Sequence, residues 1–162
     1  MAANIRFATE ADIPVILEFI HALAAYENME DQVIVTPELL KEWVFQKKKA
    51  EVFLVSEDEK PVGFALFFHN FSTWLGRAGI YLEDLFVLPE YRGKGYGKLL
   101  LKRHARLALQ GGCGRLEGAC LDWNTPSRKF YDSLGAVRME EWTTYRLTGD
   151  ALLSLASNIS LK

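Results

Sequence analysis

A loop with three alternating glycines, placed between an apolar segment and an amphipathic one, constrains this chain of 162 residues more than any other feature. The apolar segment covers residues 80–87, Pro89 ends it, and Gly93, Gly95 and Gly97 follow. Glycine adopts backbone angles that are closed to other residues and keeps the loop free of side chains. Successive N–H groups can then point into one concavity at the start of the next helix, where the helix dipole adds positive charge. The sequence therefore predicts a strand, a seat for a phosphate or pyrophosphate, and a helix, in that order.

The spacing of the loop narrows the kind of phosphate ligand. Arg92, Lys94 and Lys98 add full positive charges around the glycines. A Walker loop requires four residues between its first glycine and Gly-Lys-Ser/Thr, and the sequence has no such segment. A dinucleotide fingerprint requires Gly-x-Gly-x-x-Gly, whereas this loop has Gly-x-Gly-x-Gly with an arginine in front of it. Taken alone, the loop is equally compatible with a glycine-rich turn that only caps a helix.

Predicted strands and helices alternate along the chain, which indicates an α/β fold with the ligand at the carboxyl ends of strands. Strands are predicted at residues 4–8, 52–55, 62–68, 80–87, 115–121 and 141–147. Both alternating sets of residues 62–68 are apolar, so that strand is predicted to be covered on both faces. Helices are predicted from Thr9 to about Tyr26, from Thr36, over residues 95–109, from Pro126 to before Gly135, and over residues 150–156. Thr9 and Asp12 have the spacing of a capping box, and Asn124 or Thr125 is expected to cap the helix at Pro126. Residues 70–79 are predicted to form a loop, and His104 is predicted to be a packed core residue.

Composition limits the class of protein. Apolar residues make up 49% and charged residues 25% of the chain, which predicts a single domain over residues 1–162. A net charge of −2 disfavours a nucleic-acid-binding face and suits a cationic substrate. The apolar runs are too short for a membrane span, and two cysteines indicate a reduced, cytoplasmic setting. The three histidines lack ligand spacing, so no metal is expected.

Two acids, Glu83 and Asp84, lie inside the apolar segment that precedes the loop. Burying a carboxylate without a partner is costly, so both are expected to reach a polar cleft or a cation. In a regular strand their side chains point to opposite faces, and only a bulge would aim them together. Either acid could instead cap a loop or pair with Arg77 or Arg92. At neutral pH only about one alkyl amine in a thousand is deprotonated, and a carboxylate at a cleft can attract the cation and take its proton.

Residues 92–97, in the order Arg-x-x-Gly-x-Gly, resemble the acetyl-CoA pyrophosphate loop of the GNAT N-acetyltransferases. Further segments resemble the branch of that family that contains the spermidine/spermine and thialysine acetyltransferases. These segments are residues 26–27, 72–74, 76–77, 80–84, 89–93, 121–124 and 130–131. The resemblance covers residues 5–147. It implies a mixed sheet, flanked by helices, whose fourth and fifth strands splay apart around CoA.

The resemblance also implies roles for particular residues. Tyr131, which composition alone would make a core or surface tyrosine, matches the general acid, and Glu83 matches the acid that helps to deprotonate the amine. Tyr26 and Glu27 match residues that line the polyamine site, and Asp84 and Trp74 are further candidates for binding the substrate. The expected CoA-binding residues are Leu85, Phe86, Val87, Arg92, Gly93, Lys94, Gly95, Tyr96, Gly97, Lys98, Asn124, Pro126 and Ser127.

The function that the resemblance implies is transfer of an acetyl group from acetyl-CoA to a primary amine of a small cation. A polyamine, a diamine or a lysine-like amino acid such as thialysine is the expected substrate, and a homodimer is the expected assembly, with the segment after Trp142 contributing. Asp132 and Ser133 depart from the basic residues that polyamine-acetylating members carry there. A non-catalytic acyl-CoA-binding regulatory module and a protein or peptide N-acetyltransferase remain alternatives.

Overall fold

The computed structural model describes residues 2–157, and backbone contacts group them into two compact units. The first unit ends at Ala119 and contains a five-stranded sheet; the second begins at Cys120 and contains two helices. The strands are β1 (Ala3–Phe7), β2 (Glu51–Glu57), β3 (Lys60–Ser72), β4 (Arg77–Val87) and β5 (Leu116–Gly118). The α-helices are α1 (Ile13–Tyr26), α2 (Pro37–Leu40, continued by a π-helix over Lys41–Gln46), α3 (Tyr96–Gln110), α4 (Thr125–Ser133) and α5 (Gly149–Ser157).

The sheet is mixed, as expected. Its strands follow one another in the order β1-β2-β3-β4-β5, with antiparallel pairs up to β4 and a parallel pair between β4 and β5. The last β4–β5 pair joins Leu82 and Gly118, where β5 ends, whereas β4 continues to Val87. The end of β4 that leads to the glycine loop therefore has one edge that β5 does not cover.

Helices cover both faces of β3, which confirms the prediction from its apolar residues. On one face, Phe19 of α1 stacks on Phe64, with 5.8 Å between ring centroids. On the other face, the His104 ring of α3 lies 4.9 Å from Phe53 and 4.6 Å from Phe67, in edge-to-face contact. His104 is 0% exposed, so its prediction as a core residue is also confirmed. The two aromatic layers pack β2, β3 and β4 between α1 and α3.

A capping box begins the first helical segment. The Thr9 N–H donates to Asp12 Oδ2 over 2.7 Å, as the spacing predicted. Arg6 donates to both carboxylate oxygens of Asp12, over 2.7 and 2.8 Å, and this contact is the main reason why the pKa of Asp12 falls to about 2. α1 then ends at Tyr26, with Glu27 as its C-cap, so both residues stand at a helix end.

The prediction of a loop over residues 70–79 is wrong. Asn70 pairs with Gly79, Phe71 with Ala78 and Ser72 with Arg77, so the hairpin ladder continues almost to the turn. Backbone pairing across a long hairpin outweighs the polar and glycine-rich composition that suggested a loop.

Two strand predictions near the C-terminus also need correction. The fifth strand covers only Leu116–Gly118 instead of residues 115–121. Residues 141–147, predicted as a last strand, form no regular structure, and their side chains are exposed. A strand requires a backbone partner, and no strand of the described chain pairs with this segment. Within residues 2–157, every helix is too short or too polar to span a bilayer.

Candidate active site

A β-bulge in β4 aims the two strand acids into one site. Leu66 of β3 faces Asp84, and the next residue, Phe67, faces Leu82, so Glu83 is an extra residue in β4. Glu83 is exposed, while Asp84 is half-buried. If both acids are to serve one site, β4 must contain a bulge, and the structure contains that bulge.

Three carboxyl groups of the first unit influence one another. Burial first, and then the charges of Glu83 and Glu27, raise the pKa of Asp84 to about 7. The pKa of Glu27 is itself raised by burial. Like charges at short range disfavour one another's ionisation, and an ammonium group placed among them would relieve that repulsion. The site is therefore suited to bind a cation and to accept a proton near neutral pH.

Arg92 holds the start of the glycine loop against the ends of β4 and α1. Its Nε donates to the Val87 carbonyl over 2.8 Å, at the end of β4. Its guanidinium lies 4.8 Å from the centroid of the Tyr26 ring and 5.3 Å from that of Phe86. The side chain that the sequence suggested as a charge around the phosphate is thus already held against β4 and α1.

The backbone of the loop has the geometry of an anion seat. Gly93 and Gly95 have φ angles of +77° and +87°, in the left-handed region, and Gly95 is the N-cap of α3. A Cβ at either position would meet no atom within 4 Å, so the need for glycine is conformational. The N–H groups of residues 96–98 open α3 and have no carbonyl acceptor within their own helix. These groups fit a phosphate of CoA at the positive end of the helix dipole.

This loop is held by a buried acid that the sequence did not indicate. Glu57, at the end of β2, is 6% exposed, and both of its carboxylate oxygens lie 3.4 Å from Lys94 Nζ. Tyr96 is also buried, and its pKa is raised by that burial and by the charge and hydrogen bond of Glu57. Lys94 and Tyr96 are therefore anchored to β2, and Lys94 is not a free charge beside the phosphate seat. Its 37-residue separation from Glu57 explains why no local pattern could reveal the pair.

The second unit contains the remaining predicted residues. Asn124 Oδ1 accepts from the Ser127 N–H over 3.2 Å and so caps α4, which decides between Asn124 and Thr125. Pro126 lies in the first turn, where proline is tolerated. In the same helix, burial, with a smaller contribution from Cys120, raises the pKa of the Tyr131 phenol to about 12. The phenol therefore stays protonated across the physiological pH range.

The structure thus brings together Tyr26, Glu27, Glu83, Asp84 and Arg92 within the first unit. Leu85, Phe86 and Val87 continue β4 toward the loop, and Lys98 is exposed in the first turn of α3. Trp74 does not join this group: it lies at the turn between β3 and β4, at the other end of the ladder from the bulge, and is 88% exposed.

The family model described as "Acetyltransferase (GNAT) family" matches residues 17–136, so this chain belongs to that family. Over 164 residues it is 40% identical to the thialysine N-epsilon-acetyltransferase of Bos taurus, with 94% of this chain and 96% of that protein covered. It is 34% identical over 164 residues to the spermidine/spermine N(1)-acetyltransferase-like protein 1 of Homo sapiens, with 94% and 24% covered. A solved structure, the integron cassette protein VCH_CASS6 from the mobile metagenome of V. cholerae, has a TM-score of 0.80 and 29% identity, covering 96% of this chain and 98% of that one. The resemblance drawn from sequence motifs, and the fold it implied, are confirmed.

Proposed function

We propose that this chain transfers the acetyl group of acetyl-CoA to a primary amine of a small cation, which is a polyamine, a diamine or a lysine-like amino acid such as thialysine. The proposal rests on the bulge, which adds Glu83 to β4 beside Asp84 and close to Glu27. The anion-binding loop follows the end of the same strand. The relatives named above, one that acetylates thialysine and one that is named after polyamine acetylation, support the same substrate class.

Glu83 and Asp84 are proposed to have different roles toward the amine. Glu83 is exposed and can attract the incoming ammonium, while Asp84, with a pKa of about 7, is matched to accept a proton at neutral pH. An alkyl ammonium has a pKa of about 10.4, so transfer of its proton to Asp84 is uphill by roughly three pKa units, a gap that would be wider without the charges of Glu83 and Glu27. A neutral amine held beside the acids is then nucleophilic.

The loop and β4 would hold the acyl donor. Acetyl-CoA supplies an activated thioester; its pyrophosphate suits the N–H groups that open α3. The edge of β4 beyond Leu82, which β5 leaves uncovered, offers backbone groups of Leu85, Phe86 and Val87 for the pantetheine arm. Asn124, Pro126 and Ser127, which the resemblance to the family suggested as CoA-binding residues, are proposed to bind the same ligand.

Tyr131 would donate the proton, or a strong hydrogen bond, to the sulfur that the amine displaces. A phenol with a pKa of about 12 is always protonated at neutral pH, but it is a weaker acid than a thiol, whose pKa is about 8.5. The benefit of Tyr131 should therefore lie near the lower end of the roughly 10²- to 10⁴-fold range of general acids.

We also propose that a single functional domain, a homodimer and a cytoplasmic location accompany this activity. Trp142 and Tyr145 expose large aromatic surface in the second unit, which supports burial of that surface against a second copy. Cys113 and Cys120 are both free thiols, which fits the proposed cytoplasmic location. Light scattering at assay concentration should give the mass of a dimer, and a fully active monomer would reject this assembly.

The experiment is a screen of acetyl-CoA consumption against spermidine, spermine, thialysine, lysine, simple diamines and lysine-containing peptides. At least one small cation should be acetylated, with the product mass raised by one acetyl group, and Tyr131→Phe should keep CoA affinity while losing rate. Binding of CoA with no amine consumed would favour a regulatory module, and turnover restricted to peptides would favour a protein acetyltransferase.

A further inference from the structure

A second pair of charged side chains, Arg115 and Glu117, lies at the start of β5, beside the β4 strand that carries the acid pair. Tyr81 of β4 is opposite Glu117 in the parallel ladder, one pair before the strands separate. Arg115 precedes β5 and points to the same face as Glu117, because residues two apart in an extended chain share a face. From Glu83 to Glu117 the path is two residues along β4 and one strand across, or roughly 8 Å between Cα atoms.

The side chains of Arg115 and Glu117 contact each other, but each keeps polar atoms that this contact does not occupy. Arg115 Nε lies 2.9 Å from Glu117 Oε1, and Asn70 Nδ2 donates to the same oxygen over 3.1 Å. The side chains of Arg115 and Glu117 are 38% and 34% exposed. Within residues 2–157, neither the terminal nitrogens of Arg115 nor Glu117 Oε2 has a further ion-pair partner. One cationic fork and one carboxylate oxygen are therefore available side by side.

An aromatic surface joins this pair to the acids of the bulge. The rings of Tyr81 and Phe68 pack together, with centroids 5.2 Å apart, on the face that also carries Asp84. The pKa of the Tyr81 phenol is raised by burial and then by the charges of Glu83 and Glu117, so the phenol lies near both carboxylates. A short chain of methylene groups could lie on this surface with a charged group at each end.

We propose that Arg115 and Glu117 bind the α-carboxylate and α-ammonium groups of a basic amino acid whose side-chain amine reaches Glu83 and Asp84. This inference rests on the proposed function and narrows its substrate from small cations in general to α-amino acids. The guanidinium fork matches a carboxylate in two hydrogen bonds, and Glu117 Oε2 can accept from the ammonium. A polyamine has no carboxylate and would place a positive group beside Arg115.

The competing explanation is an ion pair that only stabilises the short β5 strand. It predicts that substitutions at Arg115 or Glu117 change turnover of every amine by the same factor. The proposal predicts an effect that depends on the groups at the far end of the substrate.

The experiment compares kcat/KM for thialysine, lysine and ornithine, each as the free acid and as the carboxamide, and for the matching diamines. The carboxamide removes the negative charge and changes the shape little. The wild-type protein should prefer the best free acid over its carboxamide by roughly 10- to 100-fold, mainly through KM, as for hydrogen bonds to charged groups. Arg115→Gln should abolish this preference, Arg115→Lys should restore part of it, and Glu117→Gln should weaken only substrates with a free α-amine. Arg106→Gln, at an exposed arginine of α3, is the control and should leave the preference unchanged.

Wild-type preference for diamines or spermidine over every free amino acid would overturn the inference without touching the proposed function. An equal loss for all amines in Arg115→Gln would assign the pair to stability alone. If no amine at all consumes acetyl-CoA, the proposed function fails and the inference fails with it. Should Arg115→Gln not fold, the wild-type ratio of free acid to carboxamide still decides, because a ratio near one contradicts a carboxylate site.

Discussion

Replacing Asp84 with asparagine should stabilise the fold while it removes the proposed base. Asp84 is an acid whose pKa moves from 3.8 to about 7 on folding, because burial and two neighbouring carboxylates disfavour its charged form. The native state therefore binds more protons than the unfolded state between these two values, and the stability that the acid form allows is lost as pH rises through that window. An asparagine at this position does not titrate, so the variant does not lose stability in this pH window.

The size of the effect follows from the shift of roughly three pKa units, each of which corresponds to about 1.4 kcal/mol. The variant should exceed the wild type in free energy of unfolding by about 2 kcal/mol at pH 5 and by up to about 4 kcal/mol above pH 7. Urea titrations of both proteins at pH 5, 7 and 9 measure this difference, with Glu90→Gln as a control at an exposed acid. A difference that stays constant with pH, or that shrinks toward pH 9, would contradict the account of Asp84.

Three further substitutions test other parts of the structure. Gly95→Ala should cost about 1–2 kcal/mol in free energy of unfolding, because φ is +87° there, and should weaken CoA binding measured by calorimetry. His104→Leu should flatten the loss of stability between pH 6.5 and 4, worth about 3 kcal/mol in the wild type, because burial lowers the pKa of His104 to about 4. Glu57→Gln should release Lys94 and raise KM for acetyl-CoA more than it lowers kcat. A substitution that leaves its measured quantity unchanged would refute the corresponding contact.

The parts of the fold that the sequence predicted are those that local patterns control. The capping box of Thr9 and Asp12, the apolar faces of α1 and β3, and the positive φ angles of the glycine loop each depend on residues close together in the chain. The order of strand, loop and helix then followed, and the family motifs supplied the mixed sheet. Such features need no knowledge of distant partners.

The features that the sequence missed depend on pairing between distant segments. The bulge at Glu83 exists only in the register of β4 against β3, and the burial that raises the pKa of Asp84 depends on how distant segments pack. The contact of Glu57 with Lys94 joins a strand end to a loop. Residues 141–147 have the alternation of a strand, but alternation alone does not provide a backbone partner.

The most direct test of the account is the pH dependence of acetyl transfer by four proteins: the wild type, Glu83→Gln, Asp84→Asn and Tyr131→Phe. If the acids of the bulge make the amine nucleophilic, both acid variants should be impaired most at pH 7. Raising the pH to 9.5 should restore much of their rate, because solution then supplies free amine. Tyr131→Phe should gain no comparable benefit. Identical profiles for all three variants would contradict the claim that the bulge acids take the proton from the amine.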